Sequence, residues 1–323
     1  MLSFSFHFPQ SFLGVIEEKI GKDPVVHKLA GDASVRQYFR LIAQSGDNSL
    51  LVCVDPANSV PSFLEIQKLF KDNGVAVPAV FAFDLEAGVI LLEDLGDVSL
   101  EAYARNCLSG ETAMEQYKKV IEVVLDIQSI NGVMLERSFD VQKLMSEFDF
   151  FIEHCLKGYF KISDPLPVSL KGRFEDIAYA MYDPKLFVIA HRDYHSRNII
   201  VKDNVVRVID FQDAMMGLPQ YDIVSLLEDP YSNLLPGVKE QLKEYYREMA
   251  VQRDIDTGDF DYLYDIAAYQ RNIKALGTYG YMASVRNNSS FIPYIDISIR
   301  NIDSYAYRQK ETSRSWGIIK RLI

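Results

Sequence analysis

The chain changes its hydrophobic rhythm about a third of the way along. Early segments alternate or run apolar for four to six residues, the pattern of strands; later ones repeat every three to four residues, the pattern of helices. Residues 11–20 predict a short amphipathic helix with Phe12, Val15, Ile16 and Ile20 on one face. Val25 to Ile42 reads as strand, loop and strand, and Leu50–Val54 as a third strand. A helix is predicted over Pro61–Asn73, with Ser59 as its cap, Gly74 at its end, and Phe63, Ile66, Leu69 and Phe70 inward. Ala79–Phe83 and Val89–Leu92 make two more strands around Glu86-Ala-Gly88. From residue 99 to about 182 the pattern is helical, interrupted at Gly132 and at 163–167, and it is helical again after Asp222.

One β insert breaks the helical part. Val188 to Asp213 reads as strand, polar loop, strand, tight turn, strand and acidic loop. Asp203-Asn204 suits a two-residue hairpin turn. Folding there pairs Lys202 with Val205, sets Asn198 opposite Ile209, and so predicts that Asn198 and Asp210 meet at the hairpin's open end, beside the loop carrying Asp193. Hard oxygen donors next to a further carboxylate are the groups that magnesium-assisted phosphoryl transfer requires. Asp193 then orients an acceptor hydroxyl and takes its proton late, while His191 is expected to be structural. Arg197 has the planar geometry to touch a phosphate, or is a surface residue. Asp213 lies near the metal or a sugar hydroxyl, or is a cap or turn carboxylate, and Asp222 reads as the N-cap of the helix that follows.

Composition narrows the partners. With 323 residues, 48% of them hydrophobic, the chain can build two cored lobes. A net charge of -11 argues against a nucleic-acid binder. The three cysteines, Cys53, Cys107 and Cys155, are odd in number and form no CxxC, so neither a disulfide framework nor a zinc site is expected. No signal peptide and no apolar run of roughly 20 residues is read, so a cytoplasmic protein without membrane contact is expected.

The motif His191-Arg-Asp-Tyr-His-Ser-Arg-Asn198 with Ile209-Asp-Phe-Gln-Asp213 resembles the aminoglycoside phosphotransferase family, a branch of the protein-kinase-like fold. Gly31-Asp-Ala-Ser-Val-Arg-Gln-Tyr-Phe-Arg40, Leu91-Leu-Glu-Asp-Leu-Gly-Asp97 and Tyr269-Gln-Arg-Asn-Ile-Lys-Ala-Leu-Gly277 extend the resemblance to bacterial kinases that phosphorylate N-acetylmuramate and N-acetylglucosamine at the anomeric hydroxyl in cell-wall sugar recycling. The resemblance implies an α+β, two-lobed fold: a small β-rich N-lobe over 1–96 and a larger helical C-lobe over 97–323. It implies Asp193 as catalytic base, and Asn198 and Asp210 as Mg2+ ligands. It places Gly31, Asp32, Ala33 and Ser34 over the phosphates of ATP, or of GTP, and makes Glu93 to Leu95 the hinge at the base. A nucleotide and a small sugar are the expected partners of a monomeric chain.

The sequence departs from the kinase pattern in one place. The third strand has no lysine to grip the phosphates. Arg36 or Arg40 is the expected substitute, which would leave Glu65 without its usual partner. For the acceptor, Gln212, Asp213, Arg271, Asn272 and Lys274 offer polar groups, and the tyrosines around Tyr279 an aromatic face. Arg271 and Lys274 share a helix face and would meet either solvent or an anionic substituent such as a lactyl carboxylate. Other alcohols (an aminoglycoside, a choline-like or a homoserine-like compound) stay open as acceptors. A nucleotide-binding module without transfer also stays open, against the intact set of Asp193, Asn198 and Asp210.

Overall fold

The computed structural model describes residues 9–29, 36–56, 59–106, 110–163, 165–232 and 234–323. The expected phosphate loop of Gly31, Asp32, Ala33 and Ser34 lies outside them, as does Cys107. The chain folds into two compact units, Met1–Val98 with Ile200–Asp213, and Ser99–Ile199 with Ala214–Ile323. The result is the expected α+β, two-lobed class.

The first unit is built on a five-stranded antiparallel sheet, in the order β1 (Val25–Lys28), β2 (Gln37–Ile42), β3 (Ser49–Val54), β5 (Val89–Glu93) and β4 (Val80–Asp84). Strand residues alternate between faces, so the sheet buries two different sets of side chains. Phe39, Leu41, Leu50, Val52 and Leu91 pack with Phe12, Ile16 and Ile20 of helix α1 (Gln10–Ile20). On the opposite face Cys53, Ile90 and Leu92 pack with Val60, Phe63 and Leu64 of α2 (Val60–Asp72). Ser59 stands at the N-cap of α2 but does not cap it. Its hydroxyl donates to Asp55 and accepts from Arg36 instead.

The β insert contributes β7 (Ile199–Lys202) and β8 (Val205–Val208), which pair as a two-stranded sheet. Asp203 and Asn204 take φ of 52° and 60°, the left-handed pair that a type I′ turn needs and that Asn and Asp tolerate. Backbone bonds from Val201 to the Val98 carbonyl (2.9 Å) and from Val208 to that of Ala76 (3.1 Å) fix the hairpin in the first unit. Phe211 is fully buried there, its ring 4.8 Å from Phe63 and 5.8 Å from Phe70.

The second unit is helical. It comprises α3 (Leu100–Asn106), α4 (Gly110–Gln128), α5 (Val141–Phe151), α6 (Val168–Ala180), α7 (Gln220–Leu227), α8 (Pro236–Gln252), α9 (Phe260–Ser284), α10 (Ile292–Tyr305) and α11 (Lys310–Ile319). The short strands β6 (Val188–Ala190) and β9 (Met215–Gly217) pair antiparallel within it. Helix α9 is buried on nearly every side, and so runs through the core rather than over it. A π-helical turn, Ile152–Tyr159, continues α5 and lies against α9. Glycines permit the close approach: a Cβ at Gly280 would stand 2.6 Å from Cys155 Cα, and one at Gly277 3.0 Å from Phe151 Cα. Nothing in the periodicity of 152–159 separates this wide turn from an ordinary helix.

Candidate active site

In the second unit the polar loop after β6 is held by its backbone. Asp222 is not the N-cap it was read as: it is fully buried inside α7, whose N-cap is Pro219. Its carboxylate accepts from the amides of His191 (2.6 Å) and Arg192 (2.9 Å), which fixes the two residues before Asp193. Asp229 does the same further on, accepting from the Ser196 amide at 2.9 Å. Asn198 donates its Nδ2 to the Asp193 carbonyl at 3.0 Å, which closes the loop and sets the orientation of its own amide. Arg192 has a left-handed φ of 78° and reaches Glu147 Oε1 at 3.0 Å, and Gln270 donates to the other oxygen of Glu147 at 2.8 Å. His191 is buried, as a structural residue should be.

Asp193 accepts a hydrogen bond from Lys274 Nζ at 2.8 Å. Burial opposes charge on this carboxyl, but Lys274, Arg192 and Arg271 outweigh it and hold the group well below the usual carboxylate range. Asp193 is therefore ionised at neutral pH. Burial pushes His195 down to about 3, with Arg271 adding to the effect against the pull of Asp193. An imidazole of that basicity stays in its neutral, singly protonated form at neutral pH.

The expected acceptor residues separate into four environments. Arg271 is buried and donates to Ser225 Oγ at 3.1 Å, so it and Lys274 do not form a solvated basic face. Asn272 points elsewhere: it is buried with its amide on the Ala268 carbonyl, 3.2 Å away, and belongs to the packing of α9. Arg197 is tied to Glu101 Oε2 and to the Tyr294 hydroxyl, both at 2.8 Å, and its guanidinium lies 3.7 Å from the centre of the Tyr231 ring. Tyr231, Tyr279, Tyr294 and Phe291 form one aromatic group around it. Gln212 and Asp213 are in the first unit, where Gln212 donates to Asp210 at 3.0 Å and to Asp213 at 3.2 Å. A cavity of about 410 Å³ lined by Met134, Tyr182 and Phe187 in the second unit involves none of the expected site residues.

In the first unit, Asp210 has a left-handed φ of 64° and pairs with Arg36 at 3.0 Å. The same guanidinium reaches Asp55 at 3.2 Å and Ser59 at 2.9 Å. Arg40, the other candidate for the missing lysine, is committed to Asp94 and Asp97 at 2.6 and 2.7 Å. Asp94 is further held by Ser49 at 2.7 Å, and its carbonyl accepts from Lys202 at 2.9 Å. At the expected hinge, Glu93 turns its carboxylate back to the Ala79 amide at 3.2 Å, and Leu95 is buried. Glu65 is exposed on α2.

Asp55, Glu147, Asp222 and Asp229 carry much of this arrangement. Only Asp222 gave a sequence signal, and that signal was misassigned. The other three are single acids whose bonds to Arg36, Arg192 and Ser196 span 19 to 45 positions of the chain.

The profile of the phosphotransferase enzyme family matches residues 25–257. An N-acetylmuramate/N-acetylglucosamine kinase of Pseudomonas aeruginosa is 27% identical over 91% of this chain and 87% of its own length. A kinase of the same name from Neisseria meningitidis is 28% identical, with 91% and 89% covered. Among solved structures, a Plasmodium vivax ethanolamine kinase aligns with a TM-score of 0.63 at 12% identity, covering 93% of this chain and 91% of its own. A spectinomycin phosphotransferase in complex with ADP and spectinomycin aligns at 0.58 and 15%, covering 91% and 94%. These structural likenesses speak for the fold. Among the described residues no helix is long and apolar enough to cross a membrane. The matched profile spans most of the chain, from the first strand to the edge of α9, and the chain belongs to the phosphotransferase enzyme family as a small-molecule kinase.

Proposed function

We propose that this chain uses ATP and Mg2+ to phosphorylate an amino sugar, N-acetylmuramate or N-acetylglucosamine, at the anomeric hydroxyl, as a cytoplasmic step of cell-wall sugar recycling. The observation that carries the choice of acceptor is the charge around Asp193. Lys274, Arg192 and Arg271 all act on its carboxylate, so the charge of the transfer residue is already met by the protein's own cations. A polycationic aminoglycoside finds no unpaired acid in Asp193, whereas a neutral or anionic sugar does not depend on one. Of the aromatic group, Tyr231 and Tyr294 keep the partial exposure that packing against a sugar ring needs, whereas Tyr279 is buried behind them. The names of the sequence relatives support the same choice.

The donor set fits magnesium. Among the described residues no three His, Cys, Asp or Glu side chains are gathered to hold a metal by themselves. Magnesium is typically held by one or two carboxylates together with substrate phosphates. Asp210 and the amide oxygen of Asn198 are hard donors of that kind. The cation, when bound, neutralises charge on the phosphates and orients them for in-line transfer. On the protein side, Arg36 takes the place of the missing strand lysine. It is anchored by Asp55 and Ser59 and reaches Asp210, whereas Arg40 serves the Asp94 region.

In the reaction, the acceptor oxygen bonds to the γ-phosphorus as the bond to the β,γ-bridging oxygen breaks. The hydroxyl proton passes to Asp193, and ADP leaves. A coupled phosphorylation assay across N-acetylmuramate, N-acetylglucosamine, glucosamine and a kanamycin-type aminoglycoside tests the reading, and product NMR locates the phosphate. Turnover confined to the aminoglycoside would overturn it.

A further inference from the structure

Lys274 lies 81 positions after Asp193 in the chain, yet its Nζ is 2.8 Å from Asp193 Oδ1. Its side chain is 17% exposed and that of Asp193 30%. The lysine rises from a helix that cannot shift easily, because Gly277 and Gly280 seat α9 directly on the backbone of α5 and the π-helical turn. One turn before Lys274 on the same face, Gln270 holds Glu147, and Glu147 holds Arg192, the neighbour of Asp193. Arg271 reaches the other side of the loop's support, bonding Ser225 on α7, the helix that carries Asp222. Two side chains of α9 thus bear on residues 191–193 through bonds, Lys274 directly and Gln270 through Glu147, while Arg271 braces the helix that carries Asp222.

A cation here has two chemical uses. It can receive an anionic substituent of the acceptor, or it can hold the carboxylate that meets the acceptor hydroxyl. The geometry favours the second. The ammonium already engages Oδ1, which leaves Oδ2 as the oxygen to face the hydroxyl. An acceptor carboxylate would have to displace Asp193 from its own partner.

We propose that Lys274 is the positioning residue of the transfer step: it fixes the Asp193 carboxylate by one oxygen so that the other meets the acceptor hydroxyl, and it does not read the charge of the sugar. This rests on Asp193 being the residue that meets the acceptor. A loss of alignment at the reacting atoms costs about a hundredfold in rate. Lys274→Met is therefore expected to lower kcat about a hundredfold on N-acetylmuramate and on N-acetylglucosamine alike. KM for each should stay within about threefold, since the ground-state contacts of the sugar are untouched. Lys274→Arg restores part of kcat. In Asp193→Asn, adding Lys274→Met costs nothing more, because residues that act as a unit are not additive.

A rise in KM confined to N-acetylmuramate would overturn the proposal and make Lys274 a reader of the lactyl carboxylate. Unchanged kcat in Lys274→Met would overturn it as well. A stability cycle judges the pair without any acceptor. Each single variant should lower the unfolding temperature by about 5 °C, and the double variant should lie well above the sum of the two losses. Additive losses would dissolve the pair. If the wild type phosphorylates neither amino sugar, the choice of sugar falls. The stability cycle and kcat on whichever alcohol is turned over then still decide the role of Lys274.

Discussion

Two carboxylates of this chain, Asp210 in the first unit and Asp193 in the second, are each held by a basic side chain, but by cations of different kinds. Arg36 spreads its guanidinium over Asp210, Asp55 and Ser59, and the Asp210 side chain is 44% exposed. Lys274 gives a point charge to Asp193 from a helix locked by its glycines. A guanidinium with five donors can release one partner and remain anchored by the others. Arg36 can therefore leave Asp210 for a phosphate without losing its place against Asp55. Among the described residues Lys274 donates to Asp193 alone, and its helix does not let it travel. The first unit thus carries a cation built to change partners, and the second carries one built to stay.

The most severe way to break this contrast is to neutralise each acid. Asp193→Asn should lower transfer roughly a thousandfold, within the range expected for removing a residue that handles the proton. Its ADP affinity should still respond to Mg2+. Asp210→Asn should also stop transfer, but its ADP affinity should no longer respond to Mg2+. Calorimetric titrations of ADP with and without Mg2+ separate the two, and identical behaviour would mean that the acids do the same job.

Removing the mobile cation is the next largest effect. Arg36→Met should raise KM for ATP about 30-fold, the order expected for a charge-assisted contact. Arg36→Lys should recover only part of it, since one ammonium cannot serve three partners. Steady-state kinetics at saturating acceptor give the answer, and an unchanged KM would mean that Arg36 does not hold the phosphates.

The seat of the fixed cation can be disturbed without touching the cation. Gly280→Ala places a Cβ 2.6 Å from backbone atoms of Cys155 and His154, so main chain has to move. A loss of about 1–3 kcal/mol in urea unfolding is expected. A fall in kcat should accompany it, with KM for ATP unchanged. Stability loss alone, with kcat intact, would show that the depth of α9 does not matter to Asp193.

The smallest effect concerns Arg40, which is paired with Asp94 and Asp97. Burial opposes charge on Asp94, but Arg40 and Ser49 outweigh it and lower its pKa from 3.8. A carboxyl depressed in the folded state adds stability above its unfolded value, and that stability is lost as pH falls below it. The gap in melting temperature between wild type and Arg40→Met should therefore be present at neutral pH and close below about pH 4. A gap that persists into acid would mean that Arg40 stabilises by packing.

What the sequence made legible follows from how local each signal is. The hairpin was readable because Asp203-Asn204 sits between two β-rich runs and both residues tolerate left-handed backbone. Asp193 and Asn198 were readable because they share one loop. Asp222 misled because a helix-start aspartate usually caps its own helix, whereas this one lies 31 positions from the amide it binds. The partner of Lys274 was illegible for a similar reason. Its position on α9 gave its face of the helix, and only the folded chain brings that face to the loop. The π-helical turn left no trace because the periodicity of its residues is that of an ordinary helix.

Arg192 has one more consequence. Its φ of 78° is a backbone state that glycine adopts at least cost, yet the position holds arginine, whose guanidinium lies against the buried Glu147. Glycine at 192 would ease the backbone and leave a buried carboxylate short of its nearest guanidinium. Loss of the charge at 147 would remove one reason to keep arginine. Drift at either position is then penalised until the other changes, so related chains should exchange the two together: arginine with an acid, or glycine with a neutral residue.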